Sequence, residues 1–309
     1  MRIIRERDVL KSLTHAQAIR LVENAFRALA LGKAEMPPKI YLTLPKGDFR
    51  AMPASLQQGA KGVGMKWISV FPGNRSKGKL AVIGHLLLND PETGELRAVI
   101  EANELTALRT GAAGALATRL LHPRVRNIGV VGAGVQSAHQ IRAHLAIFKP
   151  QGLFVWSPKE NEARSFGRRF RLPRKVQAVR TIEELTAQCD VICTCTPSRK
   201  PVVPLRGLQS GTHINAIGAD APGKQELDAQ ILRKARVFVD DWEQASHSGE
   251  INVAVSKGLF RRKDLAGTLG ELLVGRARKP RAGEITVFDS TGLAVQDMAL
   301  AHAIYNKAA

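Results

Sequence analysis

The stretch Asn127-Ile-Gly-Val-Val-Gly-Ala-Gly-Val-Gln-Ser137 decides the fold of this 309-residue chain. An apolar strand pattern ends at Gly132, and an amphipathic helix pattern follows from Gln136 to Phe148. In this strand–turn–helix setting, a G-x-G-x-x-G pattern is typical of a dinucleotide-binding loop, although a purely structural turn is the alternative. Gly132 would permit the tight turn and Gly134 would let a pyrophosphate approach the backbone. Ser137 replaces the third glycine and is small enough for close packing of helix on strand.

Downstream of this turn, apolar strands alternate with helical segments up to residue 240. The further strand predictions are Leu153–Trp156, Val176–Val179, Val191–Thr196, His213–Ile217 and Val237–Asp240. This alternation predicts a parallel sheet with helices on both faces. A strand at Glu284–Phe288 and a helix at Leu293–Asn306, capped by Ser290 or Thr291, complete the C-terminal part.

The first hundred residues have a different pattern. Residues 8–32 indicate a helix capped by Asp8, with Thr14 and Gln17 as a possible second start. Short strands follow, and they predict a mostly antiparallel sheet behind that helix. The strand predictions are Ile40–Leu44, Asp48–Met52, Gly62–Phe71 and Leu80–Asn89. The next helix, Glu104–Leu121, contains Gly111 and Gly114, which indicates that another element approaches its backbone closely.

Charge and composition exclude several classes of protein. Lys and Arg number 46 and Asp and Glu 27, for a net charge of +19, yet only 5% of residues are aromatic. Phe170 is the single aromatic residue within the basic clusters 168–175, 261–263 and 276–281, so we expect no nucleic-acid partner. Three cysteines without metal-ligand spacing predict a reducing compartment and no metal site. The longest apolar run, Leu80–Leu88, is shorter than the roughly 18–20 residues of a membrane span, so we expect a cytoplasmic protein with no membrane partner.

The second strand of the parallel sheet bears on the choice of cofactor. NAD-binding sites usually place a carboxylate at the end of this strand, where it binds the ribose. Here Ser157 occupies that position and Lys159 adds positive charge. We therefore favour NADP slightly over NAD, which remains the alternative if Lys159 points into solvent.

Three further blocks resemble the ornithine cyclodeaminase/mu-crystallin family, and the resemblance covers nearly the whole chain. They are Glu104-Leu-Thr-Ala-Leu-Arg-Thr-Gly-Ala-Ala-Gly114, Gly211-Thr-His-Ile-Asn-Ala-Ile-Gly-Ala-Asp220 with Pro222–Glu226, and Thr286-Val-Phe-Asp-Ser-Thr-Gly-Leu-Ala294. Phe49–Ala54, Thr196–Val202 and Gly249–Lys257 look most similar to its archaeal alanine dehydrogenase branch. The resemblance implies an α/β fold in which a Rossmann-type parallel-sheet domain, residues 121–290, is inserted into a smaller α+β substrate and dimerisation domain. That smaller domain would comprise residues 1–120 and a returning C-terminal helix, residues 291–309.

The resemblance also implies roles for individual residues. Lys66 and Asp220 match catalytic positions, and Arg50 and Arg109 match positions that contact the substrate and its carboxylate. Positions that match cofactor contacts are Thr110, Gly134, Val135, Gln136, Thr196 and Gly218. Ala81 stands where relatives often have Thr near the nicotinamide, which is a departure from the family pattern.

The chemistry of these side chains agrees with such roles, although each has a simpler alternative. Lys66 lies in an apolar strand, where desolvation would lower its pKa, but it could also lie on a solvent face. Asp220 follows a strand at the edge where open α/β sheets bind ligands, but it could cap a turn. Arg109 could pair with Glu101 or Glu104, and Arg50 could form a surface pair with Asp48.

These observations lead to one functional hypothesis and two rivals. We expect an NAD(P)-dependent oxidoreductase acting on small α-amino or imino acids, either by oxidative deamination or by imine reduction. The rivals are an ornithine cyclodeaminase-type lyase that uses bound NAD, and a non-catalytic binder of NADP(H) or a small ligand, as mu-crystallin is. We also expect a homodimer built through the smaller domain, since closed two-fold symmetry is the commonest assembly.

Overall fold

The computed structural model describes residues 1–57 and 62–307, which form two compact units. The first unit combines Met1–Arg109 with Leu293–Ala309, and the second spans Thr110–Gly292. The units divide after residues 109 and 292, whereas the resemblance implies divisions after residues 120 and 290. The first division differs because a single helix, Asn103–Leu121, continues through it.

Strands and helices are numbered here in chain order. Up to residue 121 they are β1 (Arg2–Ile4), α1 (Glu6–Ser12), α2 (His15–Ala30), β2 (Ala34–Glu35), β3 (Ile40–Leu44), β4 (Gly47–Leu56), β5 (Gly62–Val70), β6 (Val82–Asn89), β7 (Leu96–Glu101) and α3 (Asn103–Leu121). After residue 121 they are β8 (Asn127–Val131), α4 (Val135–Leu145), β9 (Gly152–Trp156), α5 (Glu160–Arg169), β10 (Gln177–Ala178), α6 (Ile182–Gln188), β11 (Val191–Thr194), β12 (His213–Ala216), α7 (Ala229–Lys234), β13 (Arg236–Val239), α8 (Trp242–Ser248), α9 (Asn252–Ser256), β14 (Gly267–Thr268), α10 (Leu269–Leu273), β15 (Thr286–Asp289) and α11 (Ala294–Lys307).

The sheet of the first unit has the strand order β1-β7-β6-β5-β4-β2, with β3 pairing with β4. Strands β3 to β7 pair antiparallel, which confirms the main prediction for this region. Strands β1 and β7 were not predicted, and they pair parallel to each other. Strand β1 has only three residues, too few for an alternating pattern to be read from the sequence.

Helix α11 covers the inner face of this sheet, and α2 packs against α11 and β2. Helix α11 packs against β4, β5, β6 and α2. Residues of β4 alternate between half-buried and buried, and the buried set, which includes Met52, Ala54 and Leu56, faces the helices. This alternation follows from the two-residue period of a strand, which places successive side chains on opposite faces.

The N-terminal helices begin at positions that their capping residues explain. Thr14 Oγ1 accepts a hydrogen bond from the Gln17 N–H, and Gln17 Oε1 accepts one from the Thr14 N–H, so the predicted second start is confirmed as a capping box. Asp8 is not a cap, because α1 already begins at Glu6 and Asp8 lies within its first turn.

The second unit is built on a fully parallel sheet with the order β10-β9-β8-β11-β12-β15-β13-β14. Alternate residues of β8 and β11 enter two separate apolar clusters, one on each face of the sheet. Helices α4 and α5 contribute to one cluster, and α6 and α7 to the other. The predicted α/β class, with helices on both faces of a parallel sheet, is therefore confirmed.

Two glycines of α3 allow close contact with α4. A Cβ at Gly111 would lie 2.5 Å from the His139 carbonyl oxygen, and one at Gly114 would lie 2.2 Å from Gln140 Oε1. The close approach predicted from these glycines is thus present, and the approaching element is the helix that follows the glycine turn.

The predicted cap of α11 is wrong. Thr291 Oγ1 donates to Asp240 Oδ1 at 3.0 Å, so this hydroxyl is directed to a carboxylate within the second unit. At the start of α11 itself, the Leu293 N–H donates to Gln296 Oε1 at 3.3 Å. A side chain inside the first turn, rather than one before it, satisfies this backbone group.

Candidate functional site

Three charged side chains meet on the inner face of the first unit's sheet. Lys66 on β5 is cross-strand neighbour to Met52 and Leu86, and its side chain is completely buried. Its Nζ atom lies 2.6 Å from Oδ2 of Asp297, which is also completely buried, on α11. Arg109 Nε donates to the other carboxylate oxygen, Oδ1, at 3.1 Å. The solvent-face alternative for Lys66 is therefore excluded, and the partner observed for Arg109 is Asp297.

Burial changes the protonation of Lys66. Desolvation lowers its pKa most, Asp297 opposes that effect, and the positive charge of Arg109 adds to it, so that the pKa lies at about 7. An amine with this pKa exists in both protonation states near neutral pH, as a proton-transfer group must.

Arg50 lies on the same face of the sheet, one strand away from Lys66. In the antiparallel register it is opposite Ile68, which makes it a diagonal neighbour of Lys66. Its Nε donates to Asp48 Oδ1 at 2.6 Å, and its guanidinium lies over the Tyr41 ring at 5.3 Å. The pairing with Asp48 is as expected, but Arg50 is only 4% exposed, so it is a buried group rather than a surface pair.

The glycine turn of the second unit has the conformation that a dinucleotide loop needs. Gly132 has φ +102°, a value that favours glycine, and a Cβ at Gly134 would meet nothing within 4 Å. Gly134 is the N-cap of α4, whose first residue, Val135, is half exposed. Ser137 Oγ donates to the Gly132 carbonyl at 2.6 Å and so braces the turn from the third-glycine position.

An unsatisfied acceptor accompanies this open backbone. Gln136 Oε1 is buried and has no hydrogen-bond partner within the described part of the chain. Open space over Gly134, the N-terminus of α4 and an acceptor without a donor together fit a pyrophosphate and a ribose or amide donor. The residues present are therefore suited to a dinucleotide.

The end of β9 carries the two residues expected near the ribose. Ser157 is buried, and its Oγ accepts a hydrogen bond from the Lys159 N–H at 3.4 Å. The Lys159 side chain is exposed, and its Nζ lies 3.2 Å from Glu162 Oε1. The Lys159 charge is thus shared with a neighbouring carboxylate, which weakens the case for NADP that the sequence makes.

A buried glutamate organises the carboxyl edge of the parallel sheet. Glu226 Oε1 accepts from the N–H and the hydroxyl of Thr196, and its Oε2 accepts from Thr194 Oγ1 and the Gly218 N–H, all at 2.6–2.8 Å. One carboxylate therefore connects the segments that follow β11 and β12, including two of the predicted cofactor residues. Glu226 belongs to one of the blocks that resemble the family, but its sequence context alone assigns it no role. Its position three residues after Gly223, in the segment that begins with Pro222, was the sequence feature that could have indicated a role.

The remaining predicted residues lie within the second unit. Asp220 follows β12, its side chain is 34% exposed, and its Oδ1 lies 2.5 Å from Lys224 Nζ. The Thr110 carbonyl on α3 accepts a hydrogen bond from Gln140 Nε2 on α4 at 3.1 Å. This bond connects the two helices within the second unit. The structure thus places the cofactor candidates and Asp220 in the second unit, and Lys66, Arg50 and Arg109 in the first.

Asp297 is a functional candidate that only the structure identifies. The predicted helix Leu293–Asn306 is largely apolar, and Gln296-Asp297 places two polar residues within it. Both are completely buried. Because a buried carboxylate requires a partner, a polar pair within an apolar helix was the signal that could have identified it.

The three cysteines lie in the second unit. Cys189 and Cys193 are buried and Cys195 is half-buried, and burial raises the pKa of Cys193 to about 12. Residues 1–57 and 62–307 contain no group of three or more His, Cys, Asp or Glu side chains that could hold a metal ion. In the same ranges no helix is both long and apolar enough to cross a membrane.

A model of the ornithine cyclodeaminase/mu-crystallin family matches residues 2–309. The chain belongs to this family. Among curated members, alanine dehydrogenase of Archaeoglobus fulgidus is 46% identical over 308 residues, which cover 99% of this chain and 94% of that protein. The resemblance stated from the sequence motifs is therefore confirmed, including its archaeal alanine dehydrogenase branch.

Solved structures of family members agree over the whole chain. An archaeal alanine dehydrogenase dimer with bound NAD has a TM-score of 0.94 at 45% identity, covering 100% of this chain and 96% of that one. The Thermococcus litoralis Δ1-pyrroline-2-carboxylate reductase, in complex with NADH and L-proline, has a TM-score of 0.96 at 30% identity, covering 100% and 97%. The proteins to which this chain is similar thus include both a dehydrogenase and a reductase.

Proposed function

We propose that this protein is an NAD(P)-dependent oxidoreductase that interconverts a small α-amino acid with its imino or keto acid. The observation that carries the proposal is the buried Lys66, with a pKa of about 7, joined through Asp297 to Arg109. The same chain carries a dinucleotide loop in its second unit. Alanine dehydrogenase and pyrroline-2-carboxylate reductase, the similar family members, perform the two directions of this chemistry.

Arg50 and Arg109 are the groups that we assign to the substrate carboxylate. A guanidinium offers a planar pair of donors that matches a carboxylate, and it stays charged at any working pH. Each of these arginines already binds a carboxylate of the protein, Asp48 or Asp297. These pairs show that both guanidinium groups lie where a carboxylate can approach them, and a substrate carboxylate would add to or replace these contacts.

Lys66 and Asp220 are the groups that we assign to proton transfer. In the oxidative direction, neutral Lys66 accepts the proton that the substrate ammonium must lose before its α-carbon is oxidised. Asp220 then takes a proton from the water that attacks the iminium carbon. Lys66 returns its proton to the nitrogen of the resulting carbinolamine, the C–N bond breaks, and the hydroxyl proton leaves with the ammonia as ammonium. In the reductive direction, protonated Lys66 donates to the substrate nitrogen, so one residue serves both directions by changing its charge.

The cofactor residues divide between the two ends of a dinucleotide. We assign the pyrophosphate to Gly132, Gly134 and Val135, and the nicotinamide end to Thr110, Gln136, Thr196 and Gly218. Ser157 and Lys159 would receive the adenosine ribose, and the absence of a carboxylate at Ser157 supports NADP over NAD. When bound, the nicotinamide accepts hydride from the substrate α-carbon or donates it.

A substrate screen with two readouts tests this function. Small L-amino acids with NAD+ or NADP+, and pyruvate or cyclic imines with NADH or NADPH and ammonia, are followed by absorbance of the reduced nicotinamide and by release of free ammonia. We expect the two signals to change together in the oxidative direction. Ammonia release without net cofactor reduction would indicate a cyclodeaminase-type lyase, and cofactor binding without either signal would indicate a binder.

The matched variants for this screen are Lys66→Met and Lys79→Met. Lys66→Met removes the amine but retains most of the side-chain volume, so we expect kcat to fall by about 10²- to 10⁴-fold. Cofactor affinity, measured by fluorescence titration, should stay within about twofold. Lys79 is exposed on the same unit, and its substitution should change neither quantity. Full activity of Lys66→Met would remove Lys66 from the reaction.

We also propose a homodimer that buries the outer face of the first unit's sheet. Strand register places Ile40, Leu42, Trp67 and Ile83 on one face, and all four are exposed. Phe49 stacks against Trp67 on this face, with ring centroids 5.3 Å apart. A contiguous apolar patch of this kind is typical of a protein interface, and the similar archaeal alanine dehydrogenase is a dimer.

A further inference from the structure

Asp297 is a completely buried carboxylate. The proposed reaction does not use it to transfer a proton or to bind the substrate. Its two oxygens are divided between two cations, Oδ2 with Lys66 Nζ and Oδ1 with Arg109 Nε. Resting on the function proposed above, we infer that Asp297 is a positioning residue. It fixes the Lys66 amine and the Arg109 guanidinium relative to each other and supplies the negative charge that stabilises the Lys66 ammonium.

The local geometry supports a positioning role. Asp297 lies in the first turn of α11, next to Gln296, whose Oε1 accepts from Arg109 Nη1 at 3.4 Å. Helix α11 itself packs on β4, β5 and β6, so the carboxylate is held against the strand that carries Lys66. One helix turn therefore holds both the arginine and the lysine, and a change at Asp297 alters both at once.

The charges around Lys66 show why this anion matters. Arg109 and, more weakly, Lys39 lower the pKa of Lys66, as does its burial. On β4, the neighbouring Arg50 is already paired with Asp48. Asp297 is the anion in direct contact with the Lys66 amine. If a neutral residue replaced Asp297, only desolvation and the positive neighbours would act on the Lys66 amine. Both of these lower its pKa.

The first test measures the pKa of Lys66 directly, in the full-length protein and without any substrate. Lysine side chains labelled with ¹³C at Cε are titrated by NMR, and the Lys66 signal is identified by its loss in Lys66→Met. We expect Asp297→Asn to lower the pKa of Lys66 by about one to three units, as removal of a contacting opposite charge does. Asp297→Glu retains the charge and should keep the pKa within about one unit of the wild-type value.

Asp90→Asn is the matched control for this titration. Asp90 lies in the same unit, at the turn before β7, and pairs with Arg97 at the surface. The same substitution there should leave the pKa of Lys66 unchanged. If Asp297→Asn does not fold, Arg109→Gln tests the same arrangement in the opposite direction, because it removes a competing cation and should raise the pKa of Lys66.

The second test separates a positioning role from a merely structural one. The pH dependence of kcat/KM is measured in both directions with the substrate found by the screen. In Asp297→Asn, the limb of the kcat/KM profile that reflects ionisation of Lys66 should move to lower pH by the amount seen in the NMR titration. In Asp297→Glu, this limb should lie close to its wild-type position. A uniform loss of activity with an unmoved limb and an unchanged Lys66 pKa would overturn the inference.

These two tests also distinguish failure of the inference from failure of the proposed function. If no amino or imino acid is turned over by the wild type, the proposed function fails, whereas the NMR titration still tests the effect of Asp297 on Lys66. If the wild type is active and the Lys66 pKa is the same in Asp297→Asn and wild type, the function stands and the inference is wrong.

Discussion

Asp297 lies 231 positions beyond Lys66 in the chain, yet its Oδ2 atom lies 2.6 Å from the Lys66 Nζ atom with both side chains completely buried. The lysine is supplied by a central strand and the carboxylate by the last helix. A buried ion pair of this kind adds little net stability compared with an apolar pair, but removal of one member leaves a costly unpaired charge. The contact therefore ties the C-terminal helix to the proposed chemistry.

The pKa of Lys66 predicts opposite pH dependences for the two directions of the reaction. Its value of about 7 lies below the ordinary 10.5, so the neutral amine predominates above pH 7 and the ammonium below it. Oxidation, which needs the neutral amine, should accelerate as the pH rises through about 7. Reduction, which needs the ammonium, should slow over the same range. Initial rates of both directions between pH 5.5 and 9.5 check this; midpoints near pH 10 in both would contradict it.

Ser157 predicts the cofactor preference. We expect NADP(H) to bind more tightly than NAD(H), and Ser157→Asp to reverse the order, because a carboxylate close to a 2′-phosphate costs up to about 4 kcal/mol near a protein surface. Dissociation constants for all four cofactor forms are measured by fluorescence titration. Ser165→Asp places the same charge on α5 and should leave the order unchanged. A wild type that already prefers NAD(H) would show that Lys159, paired with Glu162, does not select the phosphate.

The exposed face of the first unit's sheet predicts how the dimer can be broken. Leu42, at the centre of β3, is 55% exposed, and Leu42→Glu would place a charge in the proposed interface. We expect this variant to be monomeric by light scattering at micromolar concentration, with unchanged circular dichroism. Leu259, 51% exposed in the second unit, is the matched control, and Leu259→Glu should remain dimeric. A wild-type mass of 33.6 kDa would rule out the dimer.

Two buried histidines predict that the second unit loses stability in mild acid. Desolvation lowers the pKa of His144 to about 4 and that of His213 to about 3, from an ordinary 6.5. Below pH 6.5 the unfolded chain binds protons at these positions before the folded chain does. The contribution of the two neutral imidazoles to the free energy of unfolding is therefore fully present above pH 6.5. It falls as the pH decreases towards 4, by about 1.4 kcal/mol per pH unit for each imidazole.

Urea unfolding at pH 7.5 and 5.0 measures this loss. His213 Nδ1 and Thr286 Oγ1 lie 2.8 Å apart, and His144 Nε2 lies 2.8 Å from Thr118 Oγ1, so both imidazoles are hydrogen-bonded while neutral. His144→Gln should reduce the difference between the two pH values, whereas His247→Gln, at an exposed position of the same unit, should not. Equal stability at both pH values would contradict the prediction.

The features that sequence reasoning predicted well are those encoded locally. The glycine turn between Asn127 and Ser137 lies within eleven consecutive residues, and the capping box of α2 needs only Thr14 and Gln17. Gly111 and Gly114 likewise indicate a close contact, although they do not identify the element that makes it. The helix–strand alternation of residues 127–240 was sufficient for the α/β class, because each element carries its own hydrophobic period.

The features that it missed depend on contacts between distant segments. Strand β1 is defined by its pairing with β7, nearly a hundred residues away, and its three residues carry no pattern of their own. Glu226 and Asp297 have their roles only because folding brings other elements to their carboxylates. The cap of α11 was assigned wrongly for the same reason, since the Thr291 hydroxyl is directed to Asp240 rather than to the helix.

The cysteines have a practical consequence for following the protein in solution. All three belong to the second unit, and the Cys189 and Cys193 thiols are buried, with pKa values raised by desolvation. A thiol reagent reacts with thiolate, so these two sulfurs stay inert while the sheet around β11 remains closed. Mass spectrometry after timed exposure to a maleimide would therefore record how often this sheet opens. Because the first unit has no thiol, the label would register events in the second unit alone.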